Sequence, residues 1–197
     1  VAILSARLFS PDSVIAVGEN RKIIRTTNCG TNWISAIPGN YSTHLYSVAK
    51  VSSNTAVSVG DNGLIMKSTN FGANWSIIPS PVNVKLSSVS FGDIYNGYGV
   101  GDNGTIIKTT NSGDSWTQIG LYDRTTNNLN AVSFLDADTG IAVGLGGTIL
   151  KTTNGGVNWI QKTSGTIDEL LAISVSSPVC FVTGANGIVF KSTDLGE

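Results

Sequence analysis

Apolar and polar residues alternate along this chain in short runs, without helical spacing, and turn-forming residues separate the runs. Leu129 to Leu135 (LNAVSFL) alternates and predicts a half-buried strand, closed by the Asx and glycine turn chemistry of Asp136 to Gly140 (DADTG). Ile141 to Gly144 (IAVG) predicts a short apolar strand and Leu145 to Gly147 a turn. Thr148 to Thr153 (TILKTT) follows as a strand rich in β-branched residues. A second turn at Asn154 to Val157 leads into Asn158 to Thr163 (NWIQKT). The pattern therefore predicts four antiparallel strands, A to D, within one stretch of chain.

That stretch recurs. Gly101 to Trp116 reads GDNGTIIKTTNSGDSW, with close copies at Gly18 to Trp33, Gly60 to Trp75 and Gly144 to Trp159, and a fifth from Gly184 to Glu197 that stops before its Trp. The leading glycines of the five copies are 42, 41, 43 and 40 residues apart. A period near 40 carrying several short strands marks units that cannot bury their apolar faces alone. The B–C link reads Gly-Asp-Asn-Gly at Gly60 to Gly63 and Gly101 to Gly104, where Asn-Gly supplies the positive φ angles of a tight hairpin. Meandering hairpins build a radial four-stranded sheet more naturally than a solenoid coil. The expected architecture is all-β, a single β-propeller domain over 1–197 with about five four-stranded blades, in units of approximately 3–44, 45–85, 86–128, 129–169 and 170–197. Aligning Leu129 with Ile3, Leu45, Leu86 and Leu170 leaves the fifth unit without a strand D. The chain opens on Val1 with no initiator Met, as a processed or excerpted chain does. Either five blades close with a three-stranded last blade or the chain is a segment of a longer array; an open arc would expose apolar end faces, so the closed five-blade ring is expected, with Ala6 and Ile173 near one another.

The C–D turn carries the most specific motif. It reads Thr26, Asn28, Gly30 and Trp33; Ser68, Asn70, Gly72 and Trp75; Thr109, Asn111, Gly113 and Trp116; Thr152, Asn154, Gly156 and Trp159; and, truncated, Ser192, Asp194 and Gly196. A hydroxyl and an Asx side chain can bond the turn backbone, Gly tolerates left-handed geometry, and Trp buries a large ring against the blade. The motif resembles the Asp-box, or bacterial neuraminidase repeat, with Asn replacing Asp in four of five copies. The longer phrases, LNAVSFLDADTGIAVG and VGDNGTIIKTTNSGDSW, resemble the photosystem II assembly and stability factor propellers over nearly all of the chain. That resemblance implies a docking protein rather than an enzyme. The arginine-rich patch of the photosystem-linked members is not evident, since the arginines are Arg7, Arg21, Arg25 and Arg124.

Charge and composition remove several classes. Twelve Lys plus Arg against 13 Asp plus Glu give a net charge of −1, so no basic field exists to hold nucleic acid. The longest apolar runs are strand-sized, so no membrane-spanning helix is expected. Cys29 and Cys180 sit at different positions in the repeat and read as two unpaired, packed thiols. His44 is the sole histidine, with no partner at ligand spacing, so neither a zinc site nor a Ser-His-Asp triad is expected. The Gly-Asp-Asn-Gly turns offer too few acids for calcium, and no cofactor is implied. Asp-box repeats also decorate sialidases. With four arginines and three glutamates (Glu19, Glu169 and Glu197) the chain lacks their constellation, and Asp61 and Asp102 read as equivalent turn residues rather than a glycosidase pair. The cations at one strand-C position (Arg25, Lys67, Lys108, Lys151 and Lys191) read as snorkelling or locally paired bases.

What remains is a non-catalytic scaffold or protein-interaction module. A carbohydrate-binding module is the alternative and a sialidase-like glycosidase a distant third, so a protein partner is expected and a glycan is the other ligand weighed. In a propeller the D–A and B–C connections share one face and the Asp-box turns hold the other. The D–A links vary most between units, and variable loops on a rigid frame carry binding. Tyr41, His44, Tyr122 and Arg124 are the candidate partner-binding residues there, as aromatics and Arg are favoured anchors. Abundant Asn, Ser, Thr and Gly with few charges point to an extracellular or periplasmic location.

Overall fold

The fold is that of a computed structural model, which describes residues 1–36, 42–120 and 125–196. It contains five antiparallel sheets in chain order. Blade 1 is β1 (Ile3–Ser10), β2 (Ser13–Gly18), β3 (Ile23–Thr26) and β4 (Ile34–Ser35). Blade 2 is β5 (Leu45–Lys50), β6 (Ala56–Gly60), β7 (Ile65–Ser68) and β8 (Ser76–Ile78). Blade 3 is β9 (Leu86–Phe91), β10 (Gly97–Gly101), β11 (Ile106–Thr109) and β12 (Thr117–Gln118). Blade 4 is β13 (Leu129–Phe134), β14 (Gly140–Gly144), β15 (Ile149–Thr152) and β16 (Ile160–Lys162). Blade 5 has three strands, β17 (Leu170–Ser176), β18 (Val179–Gly184) and β19 (Val189–Ser192). The sheets are plain meanders, so each strand pairs with the next in sequence, as the tight turns require.

The first strands of all five blades line a central channel of about 310 Å³, walled by polar residues such as Ser47, Ser88 and Ser133. This is a β-propeller. Its apolar core lies between blades. One cluster joins blades 1 and 2 through Ile15, Val17, Ile23, Leu45 and Met66. A second joins blades 2 and 3 through Val57, Val59, Ile65, Leu86 and Trp116. A third joins blades 3 and 4 through Tyr98, Val100, Ile106, Leu129 and Trp159, and a fourth joins blades 4 and 5 through Ile141, Val143, Leu170 and Val182. Each blade has an apolar trailing face and an apolar leading face, which is why an isolated unit could not fold.

The repeating glycine has a steric cause. Gly18, Gly60, Gly101 and Gly144 are extended, so φ does not demand glycine there. A Cβ at any of them would lie about 2 Å from the carbonyl oxygen that precedes strand A: Ala2, His44, Lys85 or Asn128. The B–C turns that follow are short 3-10 turns with Asn62 at φ 53° and Gly63 at φ 71°, the positive angles expected of Asn-Gly.

The closed ring of five blades is not formed. Strands β1, β5, β9, β13 and β17 contact one another in series, whereas β1 and β17 make no comparable contact. Equal sequence spacing sets the number of blades; the curvature comes from how far the side chains at each junction hold neighbouring sheets apart, and here it leaves a wedge between the first and last blades.

Candidate partner-binding face

The Asp-box is a self-contained hydrogen-bonded turn. Thr109 Oγ1 donates to Asn111 Oδ1 at 2.8 Å and accepts from the Gly113 N–H at 3.0 Å, while Asn111 Oδ1 also accepts from the Ser115 N–H at 3.0 Å. The same bonds recur around Thr26 and Asn28, Ser68 and Asn70, and Thr152 and Asn154. In the truncated copy Ser192 Oγ donates to Asp194 and accepts from Gly196 N–H. The residue before the glycine is also left-handed, as at Cys29, Phe71 and Ser112, a feature the residue types did not announce. Trp75, Trp116 and Trp159 each lean on the preceding blade. These three indoles help hold neighbouring blades together.

Three of the periodic strand-C cations, Arg25, Lys67 and Lys108, also join blades. Lys67 Nζ lies 2.7 Å from Asp114 Oδ1, and Lys108 Nζ donates to the Gly155 carbonyl at 2.7 Å. The Arg25 guanidinium sits 5.9 Å from the centroid of the Phe71 ring. Every one of these partners belongs to the Asp-box turn of the next blade. The expected local pairing becomes a junction between units.

On the opposite face, the B–C turns hydrogen-bond the residues that precede strand A. The Asp61 N–H donates to the His44 carbonyl and the Asp102 N–H to the Lys85 carbonyl, so the D–A and B–C connections do share one face. His44 Nδ1 accepts the Asn20 N–H of blade 1 at 3.1 Å, and its own N–H donates to Asp61 Oδ2 at 2.7 Å. Asn128 Oδ1 takes the equivalent N–H of Asn103 two blades on. His44 thus links two turns through Nδ1 and its backbone N–H. Tyr41, Tyr122 and Arg124 lie outside the described residues.

Around His44 the face carries a connected polar strip across blades 1 to 3. Tyr46 Oη donates to Asp61 Oδ1 at 2.9 Å, and its ring meets that of His44 edge-on, with centroids 6.2 Å apart. Burial, then the bond to Asp61, pushes the Tyr46 phenol up to about 12. Lys85 Nζ lies 5.4 Å from the Tyr46 ring centroid and 3.7 Å from Asp102 Oδ1. Arg21 donates from Nε and Nη2 to Thr43 Oγ1 at 3.0 and 2.8 Å. Tyr46, Lys85 and Thr43 were not singled out in the sequence, because each occurs once in the repeat register. Asp61 and Asp102 each serve the turn of their own blade. Among the described residues no group of three His, Cys, Asp or Glu side chains is placed to hold a metal ion. Arg7 faces the central channel and Arg25 a blade junction, so with Arg21 they form no patch.

The cysteines are unpaired, but only Cys180 is packed. Cys29 is exposed, and its Sγ donates to Asp12 Oδ1 at 2.9 Å. Its place on the outer turn, rather than on a strand, keeps it in solvent.

The sequence profile of the family described as "Photosynthesis system II assembly factor YCF48" matches residues 68–159, from the Asp-box of blade 2 to the Trp of blade 4. No curated protein matches the chain by sequence. Among solved structures, YCF48 from Cyanidioschyzon merolae superposes on 96% of this chain and 68% of its own, at 17% identity and a TM-score of 0.75. A structure of YCF48 bound to D1 peptide aligns with 99% of this chain and 78% of its own, at 17% identity and a TM-score of 0.53. The GH74 enzyme of Niastella koreensis aligns with 99% of this chain but 36% of its own, at 16% identity and a TM-score of 0.79. At these identities the structures speak to fold alone. The chain is an Asp-box β-propeller, similar in its middle blades to the YCF48 assembly factors.

Proposed function

We propose that this propeller is a non-catalytic interaction module, an assembly factor or a subunit of a larger complex, that docks a segment of a partner protein on its D–A and B–C face. The observation that carries this reading is the strip from Arg21 through Tyr46 to Lys85: cations, a phenol and backbone-capping acids set on a rigid frame. Such a strip suits hydrogen bonding to an extended peptide, since most of an interface's affinity comes from a few aromatic and cationic anchors. The match of the middle blades to the YCF48 family, one member of which has been solved with a D1 peptide, supports the same class. The likeness to a GH74 enzyme is one of fold, and fold does not carry function. An extracellular or periplasmic setting belongs to this proposal, and cell fractionation tests it.

A phage-displayed peptide library selected on the chain, run beside a glycan array and a sialoside and glucan hydrolysis assay, tests the reading. Peptide binders weakened at least about tenfold by Lys85→Glu or Arg21→Glu are expected, the loss of one charge-assisted contact being worth about 1.5 kcal/mol. Binding to glycans alone, or hydrolysis of either sugar, would overturn it.

A further inference from the structure

Serine hydroxyls take up inward N–H groups of the first strands at several blade junctions, and one level of the central channel breaks that pattern. Arg7, Ala49 and Ser90 occupy equivalent positions in blades 1 to 3, each paired across its sheet with the third residue before the repeating glycine: Ile15, Val57 and Tyr98. Ser90 Oγ accepts the Phe134 N–H of the next blade at 3.1 Å. The corresponding donors at the two earlier junctions are the N–H groups of Lys50 and Phe91. They lie two residues beyond Val48 and Val89, whose N–H groups turn inward to Ser5 and Ser47, so by the alternation of an antiparallel strand they turn inward as well. Where a serine oxygen would meet them stand the Arg7 guanidinium and the Ala49 methyl, neither of which can accept a hydrogen bond.

This level of the channel is therefore a cluster of donors. Among the described residues the Arg7 guanidinium has no hydrogen-bond or ion-pair partner. The other charged residue of the lining is Lys50, whose ammonium donates to the Phe9 carbonyl at 2.8 Å, and no Asp or Glu stands among the described lining residues. The Ser90 hydroxyl, having accepted the Phe134 N–H, keeps its own proton to donate. We propose that this level is a binding site for a small oxyanion, a phosphate or a carboxylate group, held by the Arg7 guanidinium, the inward N–H groups of Lys50 and Phe91 and the hydroxyl of Ser90. A guanidinium presents paired donors that match the oxygens of either group, and backbone N–H groups add fixed dipoles of the same sign. Two cations without an acid beside them favour an anion over a neutral solute. The channel, at about 310 Å³, is of the size that admits a small molecule. Its donors come from blades 1 to 3, whose first strands contact one another in series, so the site does not depend on any contact between blades 5 and 1. It shares no residue with the strip from Arg21 through Tyr46 to Lys85.

Titration of inorganic phosphate, and separately of acetate, into the isotope-labelled chain at fixed ionic strength tests the site by NMR. The Lys50 and Phe91 amide resonances are expected to shift saturably with at least one of the two anions, and which one does so says whether the ligand carries a phosphoryl or a carboxylate group. Arg7→Gln, which removes no contact within the fold, should weaken that binding at least about tenfold through loss of a charge-assisted bond. Ala49→Ser gives the Phe91 N–H the acceptor that Ser90 gives Phe134, and should weaken it at least about threefold by engaging one donor. The absence of a saturable shift at Lys50 and Phe91 with both anions would sink the proposal, as would an affinity that either variant leaves intact.

Discussion

The hydroxyl of Ser47 accepts the backbone N–H of Val89 at 3.2 Å, joining the first strand of blade 2 to the first strand of blade 3. Ser5 does the same for Val48 at 3.3 Å and Ser88 for Val132 at 3.2 Å. Strand A has a partner strand on one side only, so its inner N–H groups would otherwise face the channel, and the serines take them up across the junction. At the fourth junction the equivalent residue is Ala131, which has no hydroxyl to offer Ile173. Ser47→Ala should cost about 1 kcal/mol, the net worth of one such bond, and Ala131→Ser should return up to a similar amount. Urea midpoints at constant slope measure both. A stabilising Ser47→Ala or a destabilising Ala131→Ser would show that the stitching is incidental.

Gly101→Ala is expected to be among the more damaging single-methyl changes. The new Cβ would lie 1.9 Å from the Lys85 carbonyl oxygen, a backbone atom that cannot rotate away. The cost should be about 3 kcal/mol, the upper range for overpacking in a close-packed site. Gly187→Ala tests the mechanism, since nothing lies within 4 Å of that Cβ and its penalty should come from its φ of 77° alone. Thermal unfolding of the two variants should rank them in that order.

The blades were legible because everything that defines them is local. Alternation over LNAVSF, the turn residues at 136–140 and the Asp-box hydroxyl, Asx and glycine all act within a few residues of one another. The junctions were not legible in the same way. Ser47 carries no signal of its own in the sequence, and its partner is 42 residues away; Lys67 reads as a snorkelling or locally paired base, and its partner is 47 residues away. The regular period announced that something joined the units, without naming the donor and acceptor. His44 lies on the loop face, and its Nδ1 takes the Asn20 N–H, a contact set by how two blades dock. Closure failed as an expectation for the same reason: ring curvature is a sum of junction geometries and leaves no mark on spacing.

The Lys67–Asp114 bridge is asymmetric, with Lys67 nearly buried and Asp114 largely in solvent. Removing the lysine leaves a carboxylate that water can solvate, so Lys67→Met should cost no more than about 1 kcal/mol. Removing the acid strands an ammonium with little access to water, so Asp114→Ala should cost more, about 2 kcal/mol. In the double variant most of the Asp114→Ala penalty should disappear. A double-mutant cycle by denaturant unfolding reads the coupling, and additive losses would mean that the two groups do not act together.

Two tyrosines make the fold sensitive to alkali. Burial, followed by the nearby Asp138 and Asp93 charges, pushes the Tyr98 phenol up to about 12, the value also reached by Tyr46. An unfolded tyrosine ionises near pH 10. Folding therefore favours the protonated phenol: its contribution is complete below about pH 10, declines as pH rises from about 10 to about 12, and stays lost above that. Tyr98 stacks on Phe134 with ring centroids 3.7 Å apart, and its hydroxyl donates to the Ala137 carbonyl at 3.3 Å. Tyr98→Phe should keep the stack and lose one weak bond, so it should be slightly less stable at neutral pH yet lose less stability across that alkaline window. Urea midpoints at about pH 8, 10 and 11.5 decide the matter. A Tyr98→Phe curve parallel to that of the parent would place the alkaline loss elsewhere, with Tyr46 the next residue to replace.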